Sequence, residues 1–193
     1  MKIAVIKYNA GNIHSVRLAL QRLNVEPVVT DDIETIESAD KVIFPGVGEA
    51  SSAMANIRQS GIASLIPRLT QPVLGICLGL QLMCRDSEEN VSECLGIFNT
   101  AVRRFPPEDK VPHMGWNRIY DLKGGLFKNI EEGEYVYFVH SYYGELDPLT
   151  TATTKYIIPF SAAMQRDNFF AVQFHPEKSG RVGEQILGNF LNL

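Results

Sequence analysis

The sequence predicts an α/β fold: a three-layer sandwich with a mostly parallel central sheet and an antiparallel extension in the C-terminal half. In the first half, short apolar runs alternate with segments that carry apolar residues at helical spacing, and this alternation favours parallel strands with helices on both faces. In the second half the apolar runs are shorter and are separated by loops that contain Pro and Gly, which is typical of antiparallel strands. Nothing resembling a linker or repeat divides the halves, so we expect residues 1–193 to form a single domain.

The apolar spacing also places the individual elements. The expected strands of the first half are residues 2–8, 25–29, 41–44 and 72–76. One helix is expected to follow Asn12, which would be its N-cap, and further helices are expected at residues 49–59, 62–69 and 78–84. The second half is expected to contain strands at residues 101–105, 135–139, 152–158, 161–165 and 169–174 and a final helix at 182–191. Turn residues predict hairpins at "RDNFF" and near Gly144.

Composition excludes several classes of function. The 193 residues have a formal net charge of −4, so no basic surface for nucleic acid is indicated. No apolar run approaches the roughly 18 residues of a membrane span. The three cysteines include no C-x-x-C pair, which argues against a disulfide framework and a zinc site. We therefore expect a cytoplasmic protein with no metal, no cofactor, no nucleic-acid partner and no membrane partner.

Cys77 stands between two glycines, in "GICLG", where an apolar strand ends and a helix begins. G-x-C-x-G at such a junction is the cysteine form of the nucleophile elbow, in which small neighbours permit a sharp turn that exposes the side chain. The start of a helix also favours a thiolate. The alternative is a buried cysteine that packs as a small hydrophobe, and this motif alone does not decide between them.

A histidine and a glutamate follow another expected strand, in "FAVQFHPE". Pro176 disfavours helix at His175, so the strand should continue as an extended segment in which His175 and Glu177 point the same way. The carboxylate would then orient the imidazole, as in a catalytic triad. Taken alone, the motif favours an ordinary surface loop, but together with Cys77 at another strand end it favours catalysis.

A third stretch, "VIFPGVG", also ends a predicted strand. Its glycines allow backbone N–H groups to be aimed at a developing oxyanion, and the N–H of Leu78 is the usual second donor. By itself the segment is only a turn.

These motifs together resemble those of the class I (triad) glutamine amidotransferases. Within that family the chain is most similar to the branch that supplies ammonia to the (β/α)8-barrel cyclase subunit of imidazole glycerol phosphate synthase, and the likeness extends nearly from end to end. The stretches that carry it are "YNAGNIHSV", "FPGVGEA", "GICLGLQLM", "SEEN…CLGIF", "VPHMGWN", "YFVHSYY" and "VQFHPEKSG".

The resemblance implies a flavodoxin-like fold and a role for each matching residue. Cys77 would attack the side-chain amide of L-glutamine, with His175 as general acid and base, Glu177 as its orienting partner, and Val47 and Leu78 as the oxyanion hole. The residues expected to bind the substrate are Gly46, Gly48, Gln81, Glu89, Ser141 and Tyr142. Those expected at the interface of a heterodimer with the cyclase, which would use the ammonia in histidine biosynthesis, are Asn12, Ser15, His113, Met114, Trp116, Asn117 and Tyr137.

Some alternatives remain at this stage. Trp116 fits either a buried residue beside a glycine turn or an exposed interface anchor. Related subunits serve amidations of surface-glycan sugars, and family members commonly have an acidic residue where this chain has Lys7. A cysteine peptidase or a protein of the DJ-1 type would share the fold, although Gln81 and the H-P-E spacing favour glutamine. A scaffold subunit that only binds the cyclase would be expected to lack an intact triad.

Overall fold

The computed structural model describes residues 1–8 and 12–193. Residues 9–11, which belong to the "YNAGN" motif and precede the predicted first helix, lie outside the described residues. The strands are β1 Ile3–Ile6, β2 Val28–Thr30, β3 Lys41–Gly46, β4 Val73–Cys77, β5 Asp86–Ser87, β6 Ser92–Glu93, β7 Ala101–Arg104, β8 His113–Arg118, β9 Tyr135–His140, β10 Tyr142–Gly144, β11 Thr150–Tyr156, β12 Ile158–Arg166 and β13 Phe169–Val172. The α-helices are α1 Ile13–Arg22, α2 Ile33–Glu37, α3 Ala50–Gln59, α4 Ile62–Leu65, α5 Leu78–Met83 and α6 Gly180–Leu191.

A seven-stranded sheet forms the centre of the fold, in the order β11-β12-β13-β4-β3-β1-β2. The five strands from β13 to β2 pair in parallel, and β12 and β11 continue the sheet as antiparallel strands. Counted along the chain, the parallel strands run 2-1-3-4-5, which is the flavodoxin-like order. The predicted fold class is therefore confirmed, including the antiparallel extension.

Apolar residues on both faces of this sheet are buried, in two clusters. One cluster joins the sheet to α3, α4 and α5, and the other joins it to α1 and α6. Neighbouring residues of one strand alternate between the clusters: Ala4 belongs to the first and Val5 to the second. This period of two follows from the pleat of a strand, and it produces the three layers.

Two smaller sheets lie beside the central one. Strands β10, β7, β5 and β6 form a four-stranded sheet, and β8 and β9 form an antiparallel hairpin. The hairpin predicted near Gly144 is wrong, because Tyr142–Gly144 pairs with Arg104–Val102 of β7. The hairpin predicted at "RDNFF" is present, with Asp167 at φ 52° in the turn between β12 and β13.

Two element boundaries differ from the prediction for local reasons. The second strand begins at Val28 instead of residue 25, because the N–H of Val25 still bonds to the Leu20 carbonyl of α1 and Pro27 has no N–H to donate. The helix predicted at residues 62–69 ends as an α-helix at Leu65 and continues as a 3-10 turn over Ile66–Arg68.

The contact between α5 and β3 sets the position of the strand-to-helix turn after β4. Gly79 of α5 lies so close to β3 that a Cβ atom there would overlap the backbone carbonyl oxygen of Phe44. Since that carbonyl belongs to a central strand, it has little freedom to move aside.

We expect Gly79→Ala to lower the free energy of unfolding by about 1–3 kcal/mol or more, as overpacking does. The matched control is Gly188→Ala in α6, where an added Cβ meets no atom within 4 Å and should stabilise the helix by up to about 1 kcal/mol. Urea unfolding of both variants measures the difference, and equal stabilities would contradict this account of the α5–β3 contact.

Candidate active site

Cys77 is the last residue of β4 and the N-cap of α5, and its backbone has φ 54° and ψ −106°. A positive φ at a residue other than glycine costs about 1–3 kcal/mol and is retained only where the surrounding structure enforces it. Here the chain reverses from a central strand into a helix with no intervening loop. The turn is the sharp elbow predicted from G-x-C-x-G.

His175 and Glu177 follow β13, the strand that pairs with β4. The Nδ1 atom of His175 lies 2.8 Å from Oε1 of Glu177, and both side chains are buried. The expected contact is present, although its geometry differs from the extended segment predicted: His175 is extended, but a 3-10 turn starts at Pro176. The carboxylate therefore fixes the imidazole with Nδ1 as the proton-bearing nitrogen and leaves Nε2 for chemistry.

Two polar atoms of this pair are buried and have no hydrogen-bond partner among residues 1–8 and 12–193: Nε2 of His175 and Oε2 of Glu177. Buried groups of this kind are uncommon, and they are often explained by a catalytic role. Burial lowers the pKa of His175, but the interactions with Cys77 and with Glu177 outweigh it and raise that pKa to about 10. These two neighbours thus favour the imidazolium form of His175.

Gln173 also contacts the cysteine, and sequence reasoning did not identify it. Its side chain is completely buried, and its Nε2 atom lies 3.7 Å from Sγ of Cys77. The signal was available in the sequence: an amide within the otherwise apolar strand "FFAVQF" is costly to bury unless it has partners.

The other cysteines are less suited to reaction. Burial raises the pKa of the fully buried Cys84 thiol well above its usual range. Burial also raises the pKa of Cys94, to about 12. Only a thiolate is an effective nucleophile.

A cavity of about 310 Å³ opens in front of Cys77, within the size range of small-molecule sites. Its walls come from the ends of β3, β4 and β9 and the segments that follow them, together with Glu89 between β5 and β6 and Pro112 directly before β8. The lining residues are Val47, Gly48, Cys77, Leu78, Gln81, Glu89, Pro112, Val139, His140, Ser141 and Tyr142. The cavity therefore brings together the cysteine, both predicted oxyanion residues and five of the six predicted substrate residues.

Two cavity residues present oxygen atoms at different points of the wall. Gln81 uses its Nε2 hydrogens inside the protein, on the Tyr142 carbonyl and on Oε1 of Gln173, so its own Oε1 is the atom left to face a ligand. Glu89 accepts a 2.7 Å hydrogen bond from the N–H of Ala50. Burial raises the pKa of Glu89, while that hydrogen bond acts in the opposite direction. Both side chains fit a ligand that carries an ammonium group.

Residues 45–48, at the end of β3 and directly after it, are held by hydrogen bonds at one end and have open space at the other. Gly46 pairs with Cys77 in the sheet and is the sixth predicted substrate residue. The hydroxyl of buried Tyr8, which sequence reasoning missed, donates a 2.7 Å hydrogen bond to the Pro45 carbonyl. Val47 is exposed, and Gly48 has φ 106° with open space around it. Peptide rotation is therefore easiest at the two residues that border the cavity.

The predicted interface residues lie on both strands of the β8–β9 hairpin and at the start of α1. Met114 and Trp116 of β8 are 63% and 55% exposed, respectively, and the Trp116 ring meets the ring of Tyr137 edge to face at a centroid distance of 6.0 Å. The possibility of a buried tryptophan is thereby excluded. Asn12 and Ser15 are half-buried at the start of α1, which packs beside the turn Pro176–Lys178.

One predicted interface residue is not on the surface. His113 is only 4% exposed, because its ring points inward and stacks on Phe138 and Tyr156, with centroid distances of 4.9 and 4.2 Å. Residues alternate between the two faces of β8, so His113 and Asn117 face inward while Met114 and Trp116 face outward. Asn117 is half-buried and bonds to the Lys155 carbonyl.

Hydrogen bonds connect β9 of the hairpin to residues 175–179, the segment that carries His175 and Glu177. The His175 N–H donates to the Tyr137 carbonyl, and the Tyr137 N–H donates to the hydroxyl of buried Ser179. That hydroxyl in turn donates to the His175 carbonyl at 2.6 Å. A displacement of Tyr137 would therefore act on the backbone of His175.

Two further properties concern metals and membranes. Among residues 1–8 and 12–193, no group of three or more His, Cys, Asp or Glu side chains is arranged to hold a metal ion. Within the same described residues, no helix combines the length and the apolar character needed to cross a membrane.

Comparison with known proteins gives a consistent result. The family model "Glutamine amidotransferase class-I" matches residues 4–193. The chain is 62% identical to "Imidazole glycerol phosphate synthase subunit HisH" of Bacteroides fragilis and 46% identical to the protein of the same name from Escherichia coli, in each case over the full length of both chains.

Solved structures share the fold at low sequence identity. The chain aligns with a TM-score of 0.77 to a crystal structure of a glutamine amidotransferase, at 18% identity and with coverage of 98% of this chain and 97% of the other. It aligns with a TM-score of 0.75 to the structure of PurLQS from Thermotoga maritima, at 19% identity and with coverage of 99% and 97%.

We expect iodoacetamide at neutral pH to modify Cys77 before Cys84 and Cys94, because Cys77 lines the cavity beside His175, whereas burial disfavours the thiolates of Cys84 and Cys94. Mass spectrometry of partially labelled protein measures the order. His175→Ala is the matched control and should slow the labelling of Cys77 alone. Equal labelling of all three thiols would contradict the assignment of Cys77 as the reactive one.

Proposed function

The chain belongs to the class I glutamine amidotransferase family, and from this membership we propose that it is the glutaminase subunit of an imidazole glycerol phosphate synthase, in histidine biosynthesis. It hydrolyses L-glutamine to glutamate and ammonia and delivers the ammonia to a (β/α)8-barrel cyclase subunit, with which it forms a heterodimer. The observation that carries the proposal is the buried His175–Glu177 pair beside Cys77, in a chain 62% identical over its full length to a subunit of that name.

The first half-reaction forms a thioester on Cys77. The Sγ thiolate attacks the carbonyl carbon of the glutamine side-chain amide, and the electrons of the C=O bond move to oxygen. When the intermediate collapses, the carbon–nitrogen bond breaks and Nε2 of His175 gives its proton to the departing nitrogen, so that ammonia leaves. The absence of any other partner on buried Nε2 supports this role.

The second half-reaction releases glutamate. A water molecule attacks the thioester carbonyl while Nε2 of His175 takes one of its protons. The carbon–sulfur bond then breaks, and the thiolate of Cys77 and the imidazolium of His175 are restored. Glu177 keeps the imidazole in one orientation and stabilises its charged form through both steps.

The oxyanion formed in both steps needs two N–H donors. We assign one to Leu78, which begins α5 directly after the nucleophile, and the other to the Val47 peptide. The space around Gly48 and the exposure of Val47 support a segment that can rotate between a resting and an active state. Loss of one oxyanion donor typically lowers a rate by about 100- to 1,000-fold, so one peptide rotation has enough effect to regulate the enzyme.

The substrate is held by the rest of the cavity wall. Oxygen atoms of Gln81 and Glu89 receive the α-ammonium group of glutamine, and Ser141, Tyr142 and Gly48 border the remainder. Gly46 acts from outside the lining, at the end of β3. A carboxylate near a cationic ligand group is favourable when both are partly removed from water.

The docking face is the exposed side of the β8–β9 hairpin together with the start of α1. Exposed Met114 and Trp116 form an apolar surface of the kind found at protein interfaces. Hydrogen bonds join β9 to His175 and Ser179. A partner bound to the docking face can therefore act on the active site through these bonds.

We extend the proposal to two general properties. Residues 1–193 act as one domain, since the central sheet takes strands from both halves of the chain. The protein works in the cytoplasm, since free thiols such as those of Cys77, Cys84 and Cys94 are usual in a reducing compartment.

The roles within the triad predict an order of damage. His175→Ala should reduce the kcat of glutamine hydrolysis about as severely as Cys77→Ser, because members of a triad act as a unit. Glu177→Gln should retain at least about tenfold more activity than His175→Ala, because it removes only the group that orients the imidazole. Steady-state assays at saturating glutamine measure this order. A Glu177→Gln variant less active than His175→Ala would reverse the assigned roles.

The partner is expected to switch the enzyme on. The isolated chain should hydrolyse glutamine slowly, and the cyclase of a histidine-pathway relative, with its own substrate bound, should raise the rate by about 100-fold or more if one oxyanion donor is repositioned. Ammonia release with and without the cyclase measures the effect.

Trp116→Ala should weaken this response, whereas Leu146→Ala should leave it unchanged. Leu146 is similarly exposed but belongs to the connection between β10 and β11. Full activity of the isolated chain would contradict the switch, and a normal response of Trp116→Ala would place the docking face elsewhere.

A further inference from the structure

Two histidines on the inner face of the β8–β9 hairpin have no role in the proposed chemistry. His113 and His140 are cross-strand partners, both are buried, and their Nδ1 and Nε2 atoms lie 3.1 Å apart. Burial lowers the pKa of His113 to about 4 and is the main cause that lowers the pKa of His140 to about 3. Both rings are therefore neutral at physiological pH, and each carries one proton that must lie on a definite nitrogen.

The two ends of this pair fix the same proton positions independently. At the outer end, the amide of Asn117 accepts from the Arg118 N–H through Oδ1 and donates through Nδ2 to the Lys155 carbonyl. This fixes the amide orientation, so Nδ2 faces Nε2 of His113 at 3.3 Å as a donor. His113 then accepts at Nε2 and donates from Nδ1 to His140.

At the inner end, Nδ1 of His140 lies 2.7 Å from the Tyr142 carbonyl. A carbonyl oxygen only accepts, so Nδ1 of His140 must carry the proton and its Nε2 must accept from His113. The directions obtained from the two ends agree. The hydrogen bonds thus form one directed series from Asn117 to Tyr142.

The series continues to the nucleophile. The Tyr142 carbonyl also accepts from Nε2 of Gln81 at 2.9 Å, and the same Nε2 donates to Oε1 of Gln173 at 3.1 Å. Nε2 of Gln173 then reaches Sγ of Cys77 at 3.7 Å. We call this series the polar chain; its members are Asn117, His113, His140, Tyr142, Gln81 and Gln173.

The links of the polar chain have little freedom to separate. The Tyr142 carbonyl accepts from two donors, and Gln81 uses both amide hydrogens. A shift of one member would leave a buried polar atom without its partner, which costs more than the bond itself contributes. The members therefore shift together or not at all.

The position of its ends distinguishes the polar chain from an ordinary buried network. One end lies on β8, whose opposite face carries exposed Met114 and Trp116. At the other end, His140, Tyr142 and Gln81 line the cavity, and Gln173 contacts the reactive sulfur.

We propose that the polar chain is a positioning relay, which holds the cavity wall and the Cys77 sulfur in register with the docking face of the hairpin. The proposal rests on the proposed function, since it takes the cavity as the glutamine site and the hairpin as the docking face. The two histidines touch no reacting atom; they act through Tyr142, Gln81 and Gln173. A partner that displaces β8 changes the cavity through this relay.

Two substitutions of His113 separate a relay from simple packing. His113→Phe keeps a ring between Phe138 and Tyr156 but removes the donor to His140. His113→Asn loses the stacked ring but keeps an amide donor near the position of Nδ1. A packing role predicts that Asn is the more harmful substitution, and a relay predicts that Phe is.

The experiment measures the activation of glutamine hydrolysis by the cyclase and, separately, the affinity for the cyclase. For His113→Phe we expect a normal affinity and an activation factor about tenfold lower, which is within the usual range of coupling between two sites. His113→Asn should recover most of that activation even if its melting temperature is lower. Full activation of His113→Phe would overturn the relay, as would a loss of activation matched by an equal loss of affinity.

A second variant covers the case in which His113→Phe does not fold. Asn117→Ala removes the outer end of the polar chain at a half-buried position, and it should lower activation without lowering affinity. Full activation of this variant would overturn the relay. If the wild-type protein itself is not activated by the cyclase, the proposed function fails; if the wild type is activated and the variants match it, only the relay fails.

Discussion

The backbone of Cys77 is the constraint on which the rest of the site depends. Its positive φ turns a central strand directly into a helix, and the turn requires α5 to lie against β3 without an intervening side chain at Gly79. The positive φ of Cys77 costs about 1–3 kcal/mol. The structure tolerates this cost because the sheet that carries Cys77 is buried on both faces. Because β4 pairs with β3 and β13, the same turn aligns the cysteine with the loop after one neighbour and with His175 after the other.

Burial and hydrogen bonding act in opposite directions on His175. Its side chain is only 1% exposed, so desolvation alone would keep the imidazole neutral. The pKa of His175 is nevertheless raised, because Cys77 and Glu177 lie beside the ring and favour its charged form. In the proposed mechanism the three groups depend on one another for this reason.

The sequence predicted those parts of the structure that depend on local patterns. The seven strands of the central sheet followed from apolar spacing, whereas α2, β5, β6, β8 and β10 were not predicted. The elbow at Cys77 followed from two glycines beside a cysteine. It did not reveal that Gln173 contacts the sulfur or that Tyr8 bonds to the Pro45 carbonyl, because both contacts join segments far apart in the chain. The sequence also did not show that the His113 side chain faces inward, because the motif "PHMGWN" does not indicate which of its side chains are buried; that depends on pairing with β9.

The two faces of the β8–β9 hairpin explain how one short strand pair can serve two purposes. Side chains alternate along β8, so Trp116 faces outward and His113 faces inward within four residues. The exposed surface and the buried hydrogen bonds therefore lie on opposite faces of the same strand. The outer face lacks a partner in the isolated chain, whereas the inner face has all of its polar atoms engaged, through His140, as far as the cavity. In the proposed heterodimer this asymmetry gives each face its own part: the partner binds the exposed apolar face, and the hydrogen-bonded inner face carries a displacement of β8 toward the cavity.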